Sequence, residues 1–141
     1  MSTTSMIETT MTEALGRFLD VDVARTKLIA LNLANIDTPG YRTRDLDFRA
    51  ELRRAAANPE EENDGAGIYG AEGRRLLPAS FSPVTHQVRG LMERPDGNNV
   101  SLERESLLLA ETQMKFNLGV QLLKDQFHTI SLAINSGGTT S

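Results

Sequence analysis

Several residue types that build particular kinds of site are missing or scarce in this chain of 141 residues. It contains no cysteine, which excludes disulfides and thiolate metal sites. It has no tryptophan, five phenylalanines and two tyrosines, so few bulky side chains are available and we expect an elongated core. The net charge of −4 gives no basic field, and the sequence therefore predicts neither a nucleic acid partner nor binding to anionic lipid.

Targeting and membrane signals are also missing from the sequence. No apolar run approaches the roughly 18 residues of a membrane helix. The N-terminus lacks the basic region and the continuous apolar region of a cleaved signal peptide. We therefore expect a soluble chain that is not inserted into a membrane and carries no cleaved signal.

The N-terminal part of the chain has an apolar stripe with helical spacing. Its members recur at intervals of three, four or seven residues: Ile7, Met11, Ala14, Phe18, Val21, Leu28 and Leu31. This pattern predicts a helix over residues 6–36, roughly 45 Å long at about 1.5 Å per residue, after a flexible N-terminus at residues 1–5.

The C-terminal part carries a second stripe, whose alternating spacing of four and three is typical of a coiled-coil seam. The seam comprises Leu109, Phe116, Val120, Leu123, Phe127, Ile130 and Ile134. Ser101 is a suitable N-cap, so we predict a helix over residues 100–136 and a flexible tail at residues 137–141. Leu118 and Leu122 form a second apolar flank, which predicts packing against helices of neighbouring subunits.

These stripes predict a mainly α fold in which the long N- and C-terminal helices pair as a coiled coil. A Pro-Gly turn and a short helix are expected over residues 37–57. Residues 58–99 are glycine-rich and acidic at first and then interrupted by prolines, so we expect an irregular, partly mobile segment with at most one or two short strands.

The end of the N-terminal helix has an unusual polar composition. Asn32 and Asn35 lie three residues apart, and asparagine is a mediocre helix former, so both are better explained by contacts than by helix propensity. Pro39 disfavours the α conformation for Thr38, and Gly40 can supply the positive φ at the third position of a type II turn. The chain is therefore predicted to change direction here.

Candidate catalytic and ligand-binding groups are weakly supported. A literal G-x-G-x-x-G occurs at residues 65–70, but it lacks the preceding strand and following helix that a dinucleotide site needs. His86 and His128 have no metal-ligand spacing. Glu103 and Glu105 lie in the first turn of the predicted helix, where the helix dipole favours negative charge. We predict no catalytic, cofactor or metal site.

The polar stretch at the helix end resembles a motif of flagellar basal-body rod and hook proteins. Its Asn-x-x-Asn is followed by Thr-Pro-Gly-Tyr, by RTRDLDF at residues 42–48 and, farther along, by GNNVSLERE at residues 97–105. The chain is most similar to the FlgB members of this family, over roughly residues 10–50 and 96–136. The resemblance marks six motif residues for assembly: Asn32, Asn35, Thr38, Pro39, Gly40 and Tyr41.

The resemblance implies a structural subunit of the proximal rod, without enzymatic activity or cofactor. The implied partners are other rod proteins, the adaptor FliE between rod and MS ring, and the flagellar type III export apparatus. The implied location is the periplasmic rod of the basal body, reached without a cleaved signal peptide. Paired terminal helices would then mediate self-assembly.

Three alternatives remain open from the sequence. A FlgC-like or other rod subunit shares the same motif. A helical adaptor or export chaperone would use the C-terminal seam to hold a partner helix. A small hydrolase based on His86 would need a pocket, and the low aromatic content of the middle segment does not favour one.

Overall fold

The chain was described with a computed structural model, which covers residues 3–57 and 82–136, with side chains for residues 11–54 and 82–136. Its elements in chain order are α1 at Thr3–Ala34, β1 at Arg44–Leu46, α2 at Phe48–Ala57, β2 at Thr85–Gln87 and α3 at Leu102–Ser136. The predicted mainly α fold with two long paired terminal helices is confirmed. In the part of the chain described, neither long helix is apolar enough to cross a membrane.

Helix bounds differ slightly from the predicted ones. Helix α1 begins at Thr3, whereas the apolar pattern predicted a start at residue 6, and it ends at Ala34. Helix α3 begins at Leu102, because the Ser101 hydroxyl accepts a hydrogen bond from the Arg104 amide and caps it. The predicted tail and the G-x-G-x-x-G stretch lie outside the described residues.

Helices α1 and α3 pack along each other through small and polar residues of α3. The buried line of α3 consists of Glu105, Thr112 and Gly119, which are seven residues apart as in a coiled coil. At Gly119 a Cβ atom would lie 2.8 Å from Cδ2 of Leu19. Glycine thus permits an approach that any other residue at this position would disturb.

Helix α2 and a short sheet cover one side of the helix pair. The Asp47 carboxylate accepts a hydrogen bond from the Ala50 amide and caps α2. The Phe48 ring packs edge-on against Phe18 of α1, with ring centroids 5.3 Å apart. Strands β1 and β2 pair antiparallel, with Asp45 opposite His86.

One buried carboxylate in this core lacks a hydrogen-bond donor among the described residues. Asp22 of α1 is buried, and neither of its carboxylate oxygens has a hydrogen-bond partner within residues 11–54 and 82–136. The neighbouring cations are committed elsewhere, because Lys115 pairs with Glu111 and Arg25 pairs with Asp45. Burial raises the pKa of Asp22, although the Lys115 and Arg25 charges oppose the shift. The ionised side chain therefore destabilises the packing of α1 on α3.

We expect Asp22→Asn to raise the free energy of unfolding at pH 7 by about 1–2 kcal/mol. A carboxyl whose pKa is raised on folding binds its proton more tightly in the folded state, so stability falls as the pH rises from the unfolded pKa through the folded pKa. The gain should therefore vanish below about pH 4. Urea unfolding between pH 3 and pH 8 measures it, with exposed Glu13→Gln on the same helix as control. A gain independent of pH would contradict this account of Asp22.

Candidate functional site

The C-terminal end of α1 is capped by residues about 60 positions later in the chain. The Asn98 side chain is fully buried, and its Nδ2 donates hydrogen bonds to the carbonyl oxygens of Asn35 (2.9 Å) and Thr38 (2.8 Å). The Arg94 guanidinium donates to the carbonyl of Ile36. Carbonyl groups of the residues that follow the helix end thus accept hydrogen bonds from a distant segment, in addition to the local bonds of the Asn35 and Thr38 carbonyls.

The Pro-Gly turn after α1 has the predicted type II form. The Tyr41 amide donates to the Thr38 carbonyl at 3.2 Å, and Gly40 has a φ of 74°. The Gly40 amide donates to the carbonyl of Asp96 at 2.8 Å. Gly97, also at positive φ, lies so close that an added Cβ would be 3.4 Å from the Cα of Gly40. Two glycines therefore let the two segments touch backbone to backbone.

The segment after the turn continues along the same distant stretch. The Thr43 amide donates to Oδ1 of Asn99 at 2.7 Å, and the Thr43 hydroxyl donates to the Asn99 carbonyl at 3.2 Å. Both residues are buried. Consecutive asparagines thus have separate targets, since Asn98 caps α1 and Asn99 holds the chain that leaves the turn.

Asn32, in the last turn of α1, lies at the centre of these contacts and is buried. Its Nδ2 donates to the Arg44 carbonyl (2.7 Å) and to Oε2 of Glu105 (3.0 Å). Its Oδ1 accepts from the Arg44 amide (3.0 Å) and from the Tyr41 hydroxyl (3.1 Å). The Asn32 side chain thus forms hydrogen bonds with both the backbone N–H and the backbone C=O of Arg44, as a neighbouring strand would. It makes all four hydrogen bonds that a side-chain amide can form.

Charged side chains complete the connection between α1, β1 and α3. Arg25 binds Asp45 through two hydrogen bonds of 3.1 Å, and Arg104 binds the same carboxylate at 2.8 Å. Burial alone would raise the pKa of Asp45, but the donors of Arg25, the Leu46 amide and Arg104 outweigh it and lower that pKa. Arg104 also pairs with the fully buried Glu105. Residues 32–46 and 94–105 thus form one structural unit, called the corner below.

Comparison with known proteins shows the family of the chain. No family model matches the chain. Curated relatives named flagellar basal body rod protein FlgB do match: that of Salmonella typhimurium is 30% identical over 122 residues, covering 84% of this chain and 88% of the relative. The chain belongs to the FlgB family. The FlgB of Borrelia hermsii is 30% identical (84% and 90% covered), and that of Cereibacter sphaeroides is 32% identical (78% and 82% covered).

The six motif residues of this FlgB-family chain all lie in the corner, but in different environments. Asn32 is buried, and Tyr41 reaches it from the turn. The Asn35 and Thr38 side chains bond each other near the surface at 3.1 Å, and Asn35 also donates to the Leu31 carbonyl. The turn residues are exposed: Pro39 and Gly40. The motif therefore has an inward part and an outward part.

The seam residues of this FlgB-family chain lie beside the line of α3 that is buried against α1. Leu109, Val120, Leu123 and Ile130 are half-buried, whereas Phe116, Phe127 and Ile134 are exposed. The seven-residue period holds for the buried line as well, but that line passes through Thr112 and Gly119. Apolar spacing could not select it, since its members are small or polar.

Sequence reasoning about this FlgB-family chain missed the partners that the motif binds. Glu105 was assigned a helix-dipole role, whereas it is buried and bonded to Asn32. Asn98 and Arg104 were noted only as part of the second resembling stretch. The signal available was that GNNVSLERE is rich in polar groups directly before a long helix, but spacing in the sequence does not show which distant groups it meets.

Proposed function

We propose that this chain is a structural subunit of the proximal rod of the bacterial flagellar basal body, assembling through its terminal helices with other rod proteins. The observation that supports this proposal best is the corner. It fixes α1, β1 and α3 within one subunit through Asn32, Asp45 and Glu105, so both long helices are presented side by side in a defined direction. The rod as the place of assembly is supported by the names of the FlgB relatives, which are flagellar basal body rod proteins.

Exposed apolar side chains on the helices supply the assembly surface in this proposal. On α3 they include Leu107, Met114, Leu118, Phe127, Leu132 and Ile134. Apolar surface is stabilised by about 25 cal/mol per Å² when it leaves water, and a single subunit leaves these side chains in solvent. Contacts that repeat between subunits without closing produce rods and tubes. Burial of these side chains between subunits therefore drives assembly.

The proposal extends to partners and location. The subunit contacts other rod proteins and the adaptor FliE, and it passes through the flagellar type III apparatus to the periplasmic rod without a cleaved signal peptide. These parts rest on the family resemblance. The helix ends beyond the corner become fully ordered on assembly, because their apolar faces are covered only by neighbouring subunits.

Locating a tagged copy of the chain tests the proposed function. In the source bacterium with its own copy deleted, the tagged chain should restore swimming, co-purify with basal bodies, and give label density in the rod next to the inner-membrane ring. A tagged copy of an outer hook protein controls for the position of the label. A chain that restores swimming but purifies as a small soluble complex would instead be an adaptor or chaperone.

A further inference from the structure

An apolar groove lies between α1 and α3 on the side away from the corner contacts. It has a volume of about 470 Å³, and its lining includes Val23, Thr26 and Lys27 of α1 and Thr112, Gln113 and Phe116 of α3. One water molecule occupies about 30 Å³, so the groove has room for side chains. Its apolar walls are partly in solvent, since Val23 and Phe116 are 40% and 39% exposed.

The groove continues onto the outer face of α1. A second depression of about 440 Å³ shares Val23 and Lys27 with the first and extends to Leu28, Leu31 and Pro83. Lys27 stands where the two meet. It is exposed, and within residues 11–54 and 82–136 it has no carboxylate partner. The groove is therefore largely apolar, with Lys27 at its centre and the acidic residue Asp20 also in the lining of the second depression.

Another face of α3 carries the complementary features. Leu107, Met114 and Leu118 are spaced by seven and four residues, so they form a ridge on one face of the helix, and all three are exposed. Two acidic residues lie on the same face of α3. Glu111 precedes Met114 by three residues, and Asp125 follows Leu118 by seven residues. Glu111 already pairs with Lys115 of its own subunit, so among the described residues the ridge is apolar with one unpaired acidic group, Asp125, beyond it.

We propose that the groove receives Met114 and Leu118 of a second copy of this chain. The walls of the groove span residues 23–27 of α1 and 112–117 of α3, about 6–8 Å along the helices, which matches the roughly 6 Å between side chains four residues apart. Asp125 lies on the same face as the ridge and has no cationic partner among residues 11–54 and 82–136, so it complements Lys27. A second copy is favoured as the occupant because this chain carries both halves of the contact.

This contact has a defined consequence for assembly. Groove and ridge are different faces of one subunit, so each bound copy presents a free ridge or groove to the next, and a helical rod forms where the rotation between copies does not close into a ring. The inference rests on the proposed function and specifies which surfaces of the terminal helices meet. It requires the two subunits to lie side by side with their α3 helices adjacent.

Cysteine crosslinking tests the contact, since the chain has no cysteine of its own. Val23→Cys and Leu118→Cys copies are expressed together in the source bacterium lacking its own copy, and intact basal bodies are oxidised. We expect a disulfide-linked dimer that neither variant forms alone. The matched control replaces Leu118→Cys with Leu132→Cys, a leucine of similar exposure (56% against 58%) that lies about 21 Å farther along α3. The control dimer should be at least about ten-fold weaker.

The outcomes separate this inference from the proposed function. Swimming cells whose basal bodies contain both variants but show no Val23–Leu118 preference would overturn the inference and leave the rod assignment intact. A link from Val23→Cys to a different protein in place of a second copy would also overturn it. Absence of the unsubstituted tagged chain from basal bodies would refute the rod assignment itself. Adding Lys27→Glu to the Val23→Cys copy should reduce the dimer several-fold.

Discussion

Asn32→Asp is expected to destabilise the subunit by about 3–5 kcal/mol and to abolish swimming. The substitution keeps the shape of the side chain but removes the Nδ2 donor, which bonds the Arg44 carbonyl and Glu105. It also places a second carboxylate 3.0 Å from the buried carboxylate of Glu105. Buried like charges without a donor between them are strongly unfavourable. Urea unfolding of the purified chain and swimming in soft agar measure the effect.

The same substitution three residues later is the matched control. Asn35→Asp retains the Oδ1 atom that accepts from Thr38 and loses only a local donor to the Leu31 carbonyl, near the surface. We expect a cost below about 1 kcal/mol and continued swimming. Equal effects of the two substitutions would contradict the inward position of Asn32, because only Asn32 bonds the distant Glu105.

Gly119→Val is expected to separate α1 from α3 locally, at a cost of about 1–3 kcal/mol, and to impair assembly. The first added carbon would lie 2.8 Å from Cδ2 of Leu19, whose flexible end can move, and 3.1 Å from the Phe18 ring. That ring is held against Phe48, so the remaining methyl groups of valine have little space. Alanine should be tolerated better, since its helix propensity offsets about 1 kcal/mol of the crowding.

Gly16→Val serves as the control for helix propensity. Gly16 also lies within a long helix, but an added Cβ would meet no atom of the described part of the chain within 4 Å. Valine is a slightly better helix former than glycine, so the control should leave the free energy of unfolding unchanged or slightly higher. Urea unfolding and recovery of each variant in basal bodies measure both. Equal losses at Gly16 and Gly119 would show that close helix packing is not the cause.

The helices and the turn could be predicted from the sequence because their causes are local. Apolar residues three and four apart on one helical face mark α1 and α3 without knowledge of what covers them. Pro39 and Gly40 restrict or permit backbone angles by their own chemistry, and Gly40 has the positive φ that the turn needs. The capping role of Ser101 follows from its own side chain in the same way.

The contacts of the corner could not be predicted because they depend on distant residues. Nothing near Asn98 indicates that it caps a helix end about 60 positions earlier. Strands β1 and β2 have three residues each, too few for an alternating pattern. The side of α3 that meets α1 could not be predicted either, because apolar residues occupy several faces of α3 while its buried line includes Gly119, which packs closely against Leu19 and Phe18.

The two motif stretches meet inside one subunit at Asn32 and Glu105, and a double-mutant cycle on the isolated chain measures this contact. Asn32→Asp removes the amide group that donates to Glu105. Glu105→Gln then supplies an amide donor from the other side of the same contact. We expect a favourable coupling of about 1–3 kcal/mol between these substitutions in urea unfolding, and less than about 0.5 kcal/mol between Asn32→Asp and Glu111→Gln, which lies about 9 Å farther along α3 than Glu105. Negligible coupling for both pairs would contradict this contact.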